Sequence, residues 1–189
     1  MLLAFHKPHG VLCQFTPDRP GQRTLAEFGF PPGVYPLGRL DLDSEGLLLL
    51  SDEPGLNHRL LDPAAAHPRT YLAQVEGVPT PAAIRLLAAG GLLLQGHRTR
   101  PARVGLLDRE PPLAPRQPPV RFRKEIPTSW LQLTLVEGKN RQVRRMTAAV
   151  GFPTLRLVRI AIGGFQPEDL APGTWRALDP EESKSVWAR

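Results

Sequence analysis

The residues between Gly38 and Gly46 form the densest group of side chains that could do acid–base or nucleophilic chemistry. The segment reads GRLDLDSEG and runs directly into four leucines. A carboxylate held at such a boundary can be ordered, partly desolvated and flanked by a cation, and these conditions turn an aspartate into a reagent. We therefore take Asp41, with Arg39 two positions before it, as the first candidate for chemistry.

Two geometries are open for this segment. If it is extended, its side chains alternate, with charged groups on one face and leucines on the other: Arg39, Asp41 and Asp43 against Leu40 and Leu42. Two like charges on one face would favour protonation of one carboxyl group unless a cation offsets them, and Arg39 is placed to do so. The same residues could instead form an ion-paired turn in which Asp43 and Ser44 cap the backbone. Spacing alone favours this second, purely structural interpretation.

A metal-binding interpretation is weaker. Acidic residues and a glycine fall at positions 1, 3, 5, 6 and 12 of a calcium-binding loop: Asp41, Asp43, Glu45, Gly46 and Asp52. The prolines that precede the segment exclude the helix that should enter such a loop. His6 and His9 have no carboxylate nearby, and Cys13 is the single cysteine. We predict no metal site and no internal disulfide.

Length and composition are those of a soluble globular protein. At 189 residues and 20.9 kDa, with 41% hydrophobic and 22% charged residues, the chain can form one core or two small subdomains that share a cleft. A membrane span needs about 18 consecutive apolar residues, and the apolar start of the chain stops at His6. We therefore expect one cytoplasmic domain over residues 1–189, built of two subdomains around one cleft.

The basic residues indicate an anionic partner. The net charge is +6 with a pI near 10.2. Most of the excess lies close together after Glu137: Lys139, Arg141, Arg144, Arg145, Arg156 and Arg159. A second cluster lies in and after a proline-rich stretch: Arg116, Arg121, Arg123 and Lys124. Long loops in compact domains usually have a function, so we expect residues 110–124 to contact a partner.

The elements that must position these residues follow from hydrophobic periodicity. Predicted strands lie at residues 2–6, 11–15, 34–40, 47–51, 70–76, 102–107, 130–136, 155–162 and 174–178. Predicted helices lie at residues 54–61, 81–89, 141–150 and 180–188, with Thr80 and Asn140 as N-caps. Strict β-α-β alternation is missing, so we predict an α+β fold in which helices flank a mostly antiparallel sheet.

Two motifs resemble a known family. Residues 38–49, GRLDLDSEGLLL, and residues 137–146, EGKNRQVRRM, resemble the two signatures of the ribosomal small-subunit pseudouridine synthase A family. Lys7-Pro8 with Gly10 resembles its opening motif, and the similarity extends from residue 4 to residue 178. Residues 10–15, 126–131 and 150–157 are most similar to the large-subunit pseudouridine synthase E branch. The resemblance implies a pseudouridine-synthase fold with a central RNA-binding cleft, and isomerisation of a uridine in large-subunit (23S) ribosomal RNA.

The resemblance also implies roles for single residues. Asp41 matches the catalytic aspartate, Tyr71 the tyrosine that stacks on the target base, and Lys139 the basic residue that pairs with the aspartate. Leu135 matches an apolar residue of the uracil pocket, and Arg39 an arginine that helps to hold the opened RNA. The other motif residues are expected to contact RNA or to frame the cleft: Arg141, Gln142, Arg144 and Arg145.

The reaction that the resemblance implies breaks the bond from C1′ to N1 and joins C1′ to C5. It is redox-neutral and consumes no water, so we expect no cofactor, and we find neither a phosphate-binding glycine loop nor a dinucleotide fingerprint. Three roles of Asp41 stay open: attack on the sugar, addition to C6 of the base, and proton abstraction.

The resemblance has departures and a competitor. His6 replaces the asparagine usual before Lys-Pro. Because the opening motif begins at residue 6, we expect no small N-terminal RNA-binding domain, and RNA affinity should then come from the basic surface of the catalytic domain. We also expect a monomer. The alternative is a non-catalytic basic protein that binds ribosomal RNA or assists ribosome assembly. It would show the same salt-dependent binding without forming product.

Overall fold

Twelve strands, four α-helices and one 3-10 helix make up the part of the chain that the computed structural model describes, residues 1–120, 125–168 and 170–188. The strands are β1 Leu2–Lys7, β2 Val11–Leu12, β3 Arg23–Thr24, β4 Tyr35–Leu37, β5 Glu45–Ser51, β6 Arg69–Glu76, β7 Leu93–Leu94, β8 His97–Arg98, β9 Arg103–Leu106, β10 Thr128–Leu135, β11 Thr154–Ile162 and β12 Trp175–Ala177. The helices are α1 Leu56–Leu61, α2 Pro81–Ala89, α3 Gln142–Ala149 and α4 Pro180–Val186, and the 3-10 helix is Leu25–Phe28.

Eight of these strands form one sheet with the order β12-β1-β5-β11-β6-β10-β9, and β4 pairs with β5. All neighbours are antiparallel except β5 and β11, which pair in parallel over a short stretch. The sheet is therefore two antiparallel halves joined by one parallel contact. The predicted α+β fold on a mostly antiparallel sheet is confirmed.

A glycine makes the contact between the halves possible. Gly46 of β5 lies opposite Arg159 of β11, with a φ of 98°. A Cβ atom at position 46 would lie 2.3 Å from the carbonyl oxygen of Arg159. Only glycine tolerates both the approach and the backbone conformation.

Three hydrophobic clusters fix the sheet to its helices. One contains Leu60 of α1 and Val186 of α4. A second lies under the N-terminal segment that contains the 3-10 helix. A third packs α2 and α3 on the half of the sheet that contains β6 and β10. Tyr71 packs against both the second and the third cluster, and so it lies where the two halves meet.

Most predicted elements are confirmed, and the differences have local causes. The strand predicted at 11–15 ends at Leu12, because the carbonyl of Gln14 accepts a hydrogen bond from the Leu25 amide in place of a sheet partner. The predicted cap Asn140 is wrong, because its side chain accepts a hydrogen bond from Arg145. The 3-10 helix and the hairpin of β7 and β8 were not predicted.

The proline-rich segment lies against the sheet as far as it is described. Arg156 of β11 donates to the carbonyl of Ala114 at 2.8 Å, and Arg116 donates to the carbonyls of Pro118 and Pro119. The other members of the predicted second basic cluster lie outside the described residues: Arg121, Arg123 and Lys124. A role of residues 110–124 in binding stays a prediction. Among the helices of the described residues, none is both long and apolar enough to pass through a membrane.

Candidate active site

A cleft of about 640 Å³ is lined by residues from both halves of the sheet. It brings together seven of the predicted site residues: Arg39, Asp41, Tyr71, Leu135, Lys139, Arg141 and Gln142. Arg144 and Arg145 do not line it. Much of the remaining wall is apolar and includes Leu40 and Leu157. The structure therefore brings seven of these residues together, and the role of each side chain stays a prediction.

Asp41 begins a tight turn. Its carbonyl accepts a hydrogen bond from the Ser44 amide at 3.0 Å, which reverses the chain directly before β5. Its side chain is 28% exposed. The extended geometry is therefore wrong, and Leu42, expected to be buried with Leu40, is 47% exposed. The calcium-loop geometry is also wrong, since Glu45 and Gly46 are already part of the strand.

The opening motif, Lys7-Pro8 with Gly10, stabilises this turn through hydrogen bonds. Lys7 is fully buried, and its Nζ donates to the carbonyls of Val11 at 2.8 Å, Pro8 at 3.0 Å and Leu42 at 3.5 Å. The amide of Gly10 donates to the same Leu42 carbonyl at 2.8 Å. Burial lowers the pKa of Lys7 to about 8. Two donors from the motif thus hold the carbonyl that follows Asp41.

The cation nearest to Asp41 is not the predicted one. Within the described residues, the ion pair of Asp41 is made by Arg141, whose Nη1 lies 3.7 Å from Oδ2, and not by Lys139. Lys139 is exposed on the turn before α3, whereas Arg141 caps α3 in a left-handed conformation with a φ of 51° and reaches the aspartates. Lys139 still lines the cleft, where it is free to meet a ligand.

Asp43 organises the arginines. It accepts two hydrogen bonds of 2.8 Å from Arg141, while Nη2 of Arg144 donates to its carbonyl at 2.7 Å. Nε of Arg144 lies 3.4 Å from Oδ2 of Asp43, an ion-pairing distance without a hydrogen bond. Burial raises the pKa of Asp43, but the hydrogen bonds from Arg141 and the charges of both arginines outweigh burial, so the pKa lies below its usual value. Arg144 thus contacts the turn between Asp41 and β5 and does not itself line the cleft.

A second carboxylate holds the turn that carries Lys139. Glu137 accepts hydrogen bonds from the Arg100 amide at 2.8 Å and from Gln142, and it is 2.9 Å from Nε2 of His97. The side-chain oxygen of Gln142 in turn accepts a hydrogen bond from the Lys139 amide at 3.0 Å. Burial raises the pKa of Glu137, but these hydrogen bonds lower it by more than burial raises it. The pKa of Glu137 therefore lies below its usual value. Gln142 is buried, so of its two expected roles the structure favours framing of the cleft.

Tyr71 and Leu135 form the flat and apolar part of the cleft. Tyr71 is half-buried on β6, and Leu135 is buried on the neighbouring β10. An aromatic ring and an apolar wall suit a planar ring, and the exposed cations of the same cleft, Arg39 and Lys139, suit an anionic backbone attached to that ring. Four residues of the site or its support had no individual role from the sequence: Lys7 and Glu137 were recognised only as parts of motifs, Arg159 only as part of the basic cluster, and Arg69 not at all. Their burial was not readable, because lysine, glutamate and arginine are usually exposed.

The chain is similar to proteins of known families. A family model described as RNA pseudouridylate synthase matches residues 1–149. A relative in Xanthomonas campestris pv. campestris, ribosomal large subunit pseudouridine synthase E, is 57% identical over 181 residues, which cover 95% of this chain and 96% of the relative. A protein of the same name in Vibrio vulnificus is 50% identical over 177 residues, covering 94% of this chain and 74% of that protein.

The fold has a counterpart among solved structures. A crystal structure of a pseudouridylate synthase superposes with a TM-score of 0.78 at 28% sequence identity. The match covers 98% of this chain and 73% of the other. Sequence and fold therefore indicate the same family.

Proposed function

The chain belongs to the RNA pseudouridylate synthase family and is an isomerase, and we propose that it converts a uridine of large-subunit ribosomal RNA to pseudouridine with Asp41 as the nucleophile. The assignment to large-subunit RNA is supported by two relatives that carry this substrate in their names and align with nearly all of this chain. Those relatives come from bacteria, where ribosomal RNA is cytoplasmic, and we propose the same location and the same RNA partner here.

One observation carries the proposal for Asp41. Its carboxylate lines the same cleft as Tyr71 and Leu135, beside a cation 3.7 Å away. An ionised carboxylate, a stacking surface and an apolar pocket are the parts that the reaction needs. Because residues of one chain supply all three, we propose a single catalytic domain, with the two halves of the sheet as its subdomains, that acts as a monomer.

The reaction sequence follows from these parts. The target uridine leaves its stack at a cost of a few kcal/mol, and Tyr71 stacks on the extruded base. With the help of Asp41 the bond from C1′ to N1 breaks, the ring turns in the cleft, and C5 joins C1′. C5 loses its proton and N1 gains one, so the product is an isomer. The exposed cations Arg39 and Lys139 bind the RNA backbone.

Tritium release tests the function. A large-subunit ribosomal RNA transcript made with uridine tritiated at C5 should release label when incubated with the purified protein alone. Mapping with carbodiimide should place the pseudouridine at a discrete site. RNA binding that weakens with salt but releases no tritium would establish the non-catalytic alternative.

A further inference from the structure

Two buried arginines lie in the cleft without a carboxylate partner. Arg159 of β11 is 4% exposed and Arg69 of β6 is 8% exposed, and both line the cleft. Nε of Arg159 donates to the carbonyl of Leu47 at 2.8 Å, and Arg69 donates to the carbonyls of Leu60 and His67. Among the described residues no acidic group lies within 4.0 Å of either guanidinium group, and Nη2 of Arg159 is buried with no hydrogen-bond acceptor.

The two guanidinium groups lie on the face of the sheet that carries Tyr71. Arg159 is directly opposite Tyr71 in the antiparallel pair of β11 and β6, and directly opposed residues project to the same face. Arg69 precedes Tyr71 by two positions in the same strand, which also places it on that face. In the same ladder Arg69 pairs with Ile162 and Tyr71 pairs with Arg159, so the two arginines are near neighbours in the sheet. Burial lowers the pKa of Arg69, Tyr71 raises it, and the charge of Arg159 lowers it further.

Such an arrangement destabilises the folded protein, so it is expected only where a function requires it. A buried cation without a counter-charge has lost its hydration without compensation, and two neighbouring cations repel each other. A third buried arginine shows the usual solution, because Arg156 makes two hydrogen bonds of 2.8 and 2.9 Å to the buried carboxylate of Glu45. Arg159 and Arg69 lack this solution and face the cleft.

We propose that Arg159 and Arg69 bind the carbonyl oxygens of the extruded uracil and stabilise the negative charge on the ring after the bond from C1′ to N1 breaks. This inference rests on the proposed function. When that bond breaks, its electron pair leaves with the base, and the uracil anion delocalises the charge onto its oxygen atoms. The charge disappears when C5 bonds to C1′, C5 loses its proton and N1 is protonated. Guanidinium groups with fixed, dry donors are suited to such a transient anion.

Depth favours the base over a backbone phosphate. Both guanidinium groups are almost completely buried, whereas Arg39 and Lys139 at the same cleft are exposed. A base that has rotated out of its stack reaches further into a protein than its own sugar and phosphate do. Phosphates therefore meet the exposed cations, and the buried pair meets the ring.

The test combines arginine variants with thio-substituted RNA. Arg159→Gln and Arg69→Gln should each lower the single-turnover rate constant by about 100-fold to 1,000-fold with little change in RNA affinity. The reason is that the negative charge stabilised by the two arginines exists only during the reaction. Arg159→Lys and Arg69→Lys keep the buried charge and replace any glutamine variant that fails to fold. Arg85→Gln, exposed on α2 away from the cleft, is the matched control.

Substrates with 2-thiouridine or 4-thiouridine at the target site then locate the contact. Sulfur accepts hydrogen bonds poorly, so the wild type should slow on the RNA that carries sulfur at the contacted position. In the arginine variants the same sulfur substitution should have little further effect, because the variant has already removed the hydrogen bond that sulfur would weaken. Equal thio effects in wild type and variants, or variants that weaken RNA binding with kcat unchanged, would overturn the proposal. Failure of the wild type on unmodified RNA would refute the proposed function instead.

Discussion

Arg141 binds the carboxylate of Asp43 through two hydrogen bonds of 2.8 Å each, although the two residues are 98 positions apart in the chain. The same guanidinium group stops 3.7 Å from Asp41. Asp43 therefore holds the guanidinium group of Arg141 beside the carboxylate of Asp41, without a hydrogen bond between Arg141 and Asp41. Asp43 thus positions the guanidinium group, whereas Asp41 only lies beside it, so a change at Asp43 should also affect Asp41.

Asp43→Asn should lower kcat by about 100-fold, because the released arginine can move onto Asp41 and displace its carboxylate from the reacting geometry. The fold should be kept, since an amide is isosteric with the carboxylate. Single-turnover kinetics on ribosomal RNA would measure the effect. Asp52→Asn, a carboxylate change at an exposed ion pair with the amino terminus, should leave the rate unchanged. Wild-type rates in Asp43→Asn would show that the pairing is incidental.

Gly46→Ala should disrupt the contact between the two halves of the sheet. The new Cβ would meet the backbone of Arg159 at 2.3 Å, and backbone atoms of a strand cannot move aside as a flexible side chain can. We expect a loss of about 3 kcal/mol or more in the free energy of unfolding, measured by urea denaturation. Gly21→Ala is the control, because Gly21 also has a positive φ but no atom near its Cβ position. Equal losses in both variants would attribute the effect to backbone strain alone.

The buried ion pair of Glu45 and Arg156 should be costly to halve and tolerable to replace. Glu45→Gln or Arg156→Met leaves an uncompensated buried partner, for which we expect a loss of about 3 to 5 kcal/mol in unfolding free energy. The double variant Glu45→Leu/Arg156→Met should recover much of that loss, since both groups are then apolar. A double variant less stable than either single one would contradict this account.

Lys7 should make stability depend on pH in the alkaline range. Burial lowers its pKa from 10.5 to about 8 in the folded protein, so between these values the unfolded chain binds more protons than the folded one. Stability should therefore rise as the pH increases from about 8 to about 10.5, by at most about 3 kcal/mol from this residue, and stay constant below that window. Urea denaturation of the wild type and of Lys7→Met across this pH range gives the two free energies of unfolding. Their difference at each pH is the contribution of Lys7. A difference that does not change with pH would mean that Lys7 is not buried as a cation.

The sequence predicted what periodicity and motifs can encode. β5, β6, β10 and α3 were recognisable because each follows the hydrophobic pattern of its element. The family resemblance also named Asp41, Tyr71 and Lys139 as site residues, and all three line one cleft in the structure.

What the sequence did not predict depends on contacts distant in the chain. Leu42 follows the alternation of a strand, yet one hydrogen bond between Asp41 and Ser44 turns it outward. Arg141 looks like any residue of a basic helix until the fold brings Asp43 to it. Arg159 has the charge of a surface residue, and only the sheet register shows that it is buried beside Tyr71.

Single-turnover product formation by Asp41→Asn tests the central claim most directly. The variant keeps the shape of the side chain and removes its charge, so it should fold and bind ribosomal RNA like the wild type. We predict that it releases no tritium from RNA labelled at C5 of uridine and leaves the target uridine unmodified. Pseudouridine at that site in reactions with purified Asp41→Asn would contradict the assignment of Asp41 as the nucleophile.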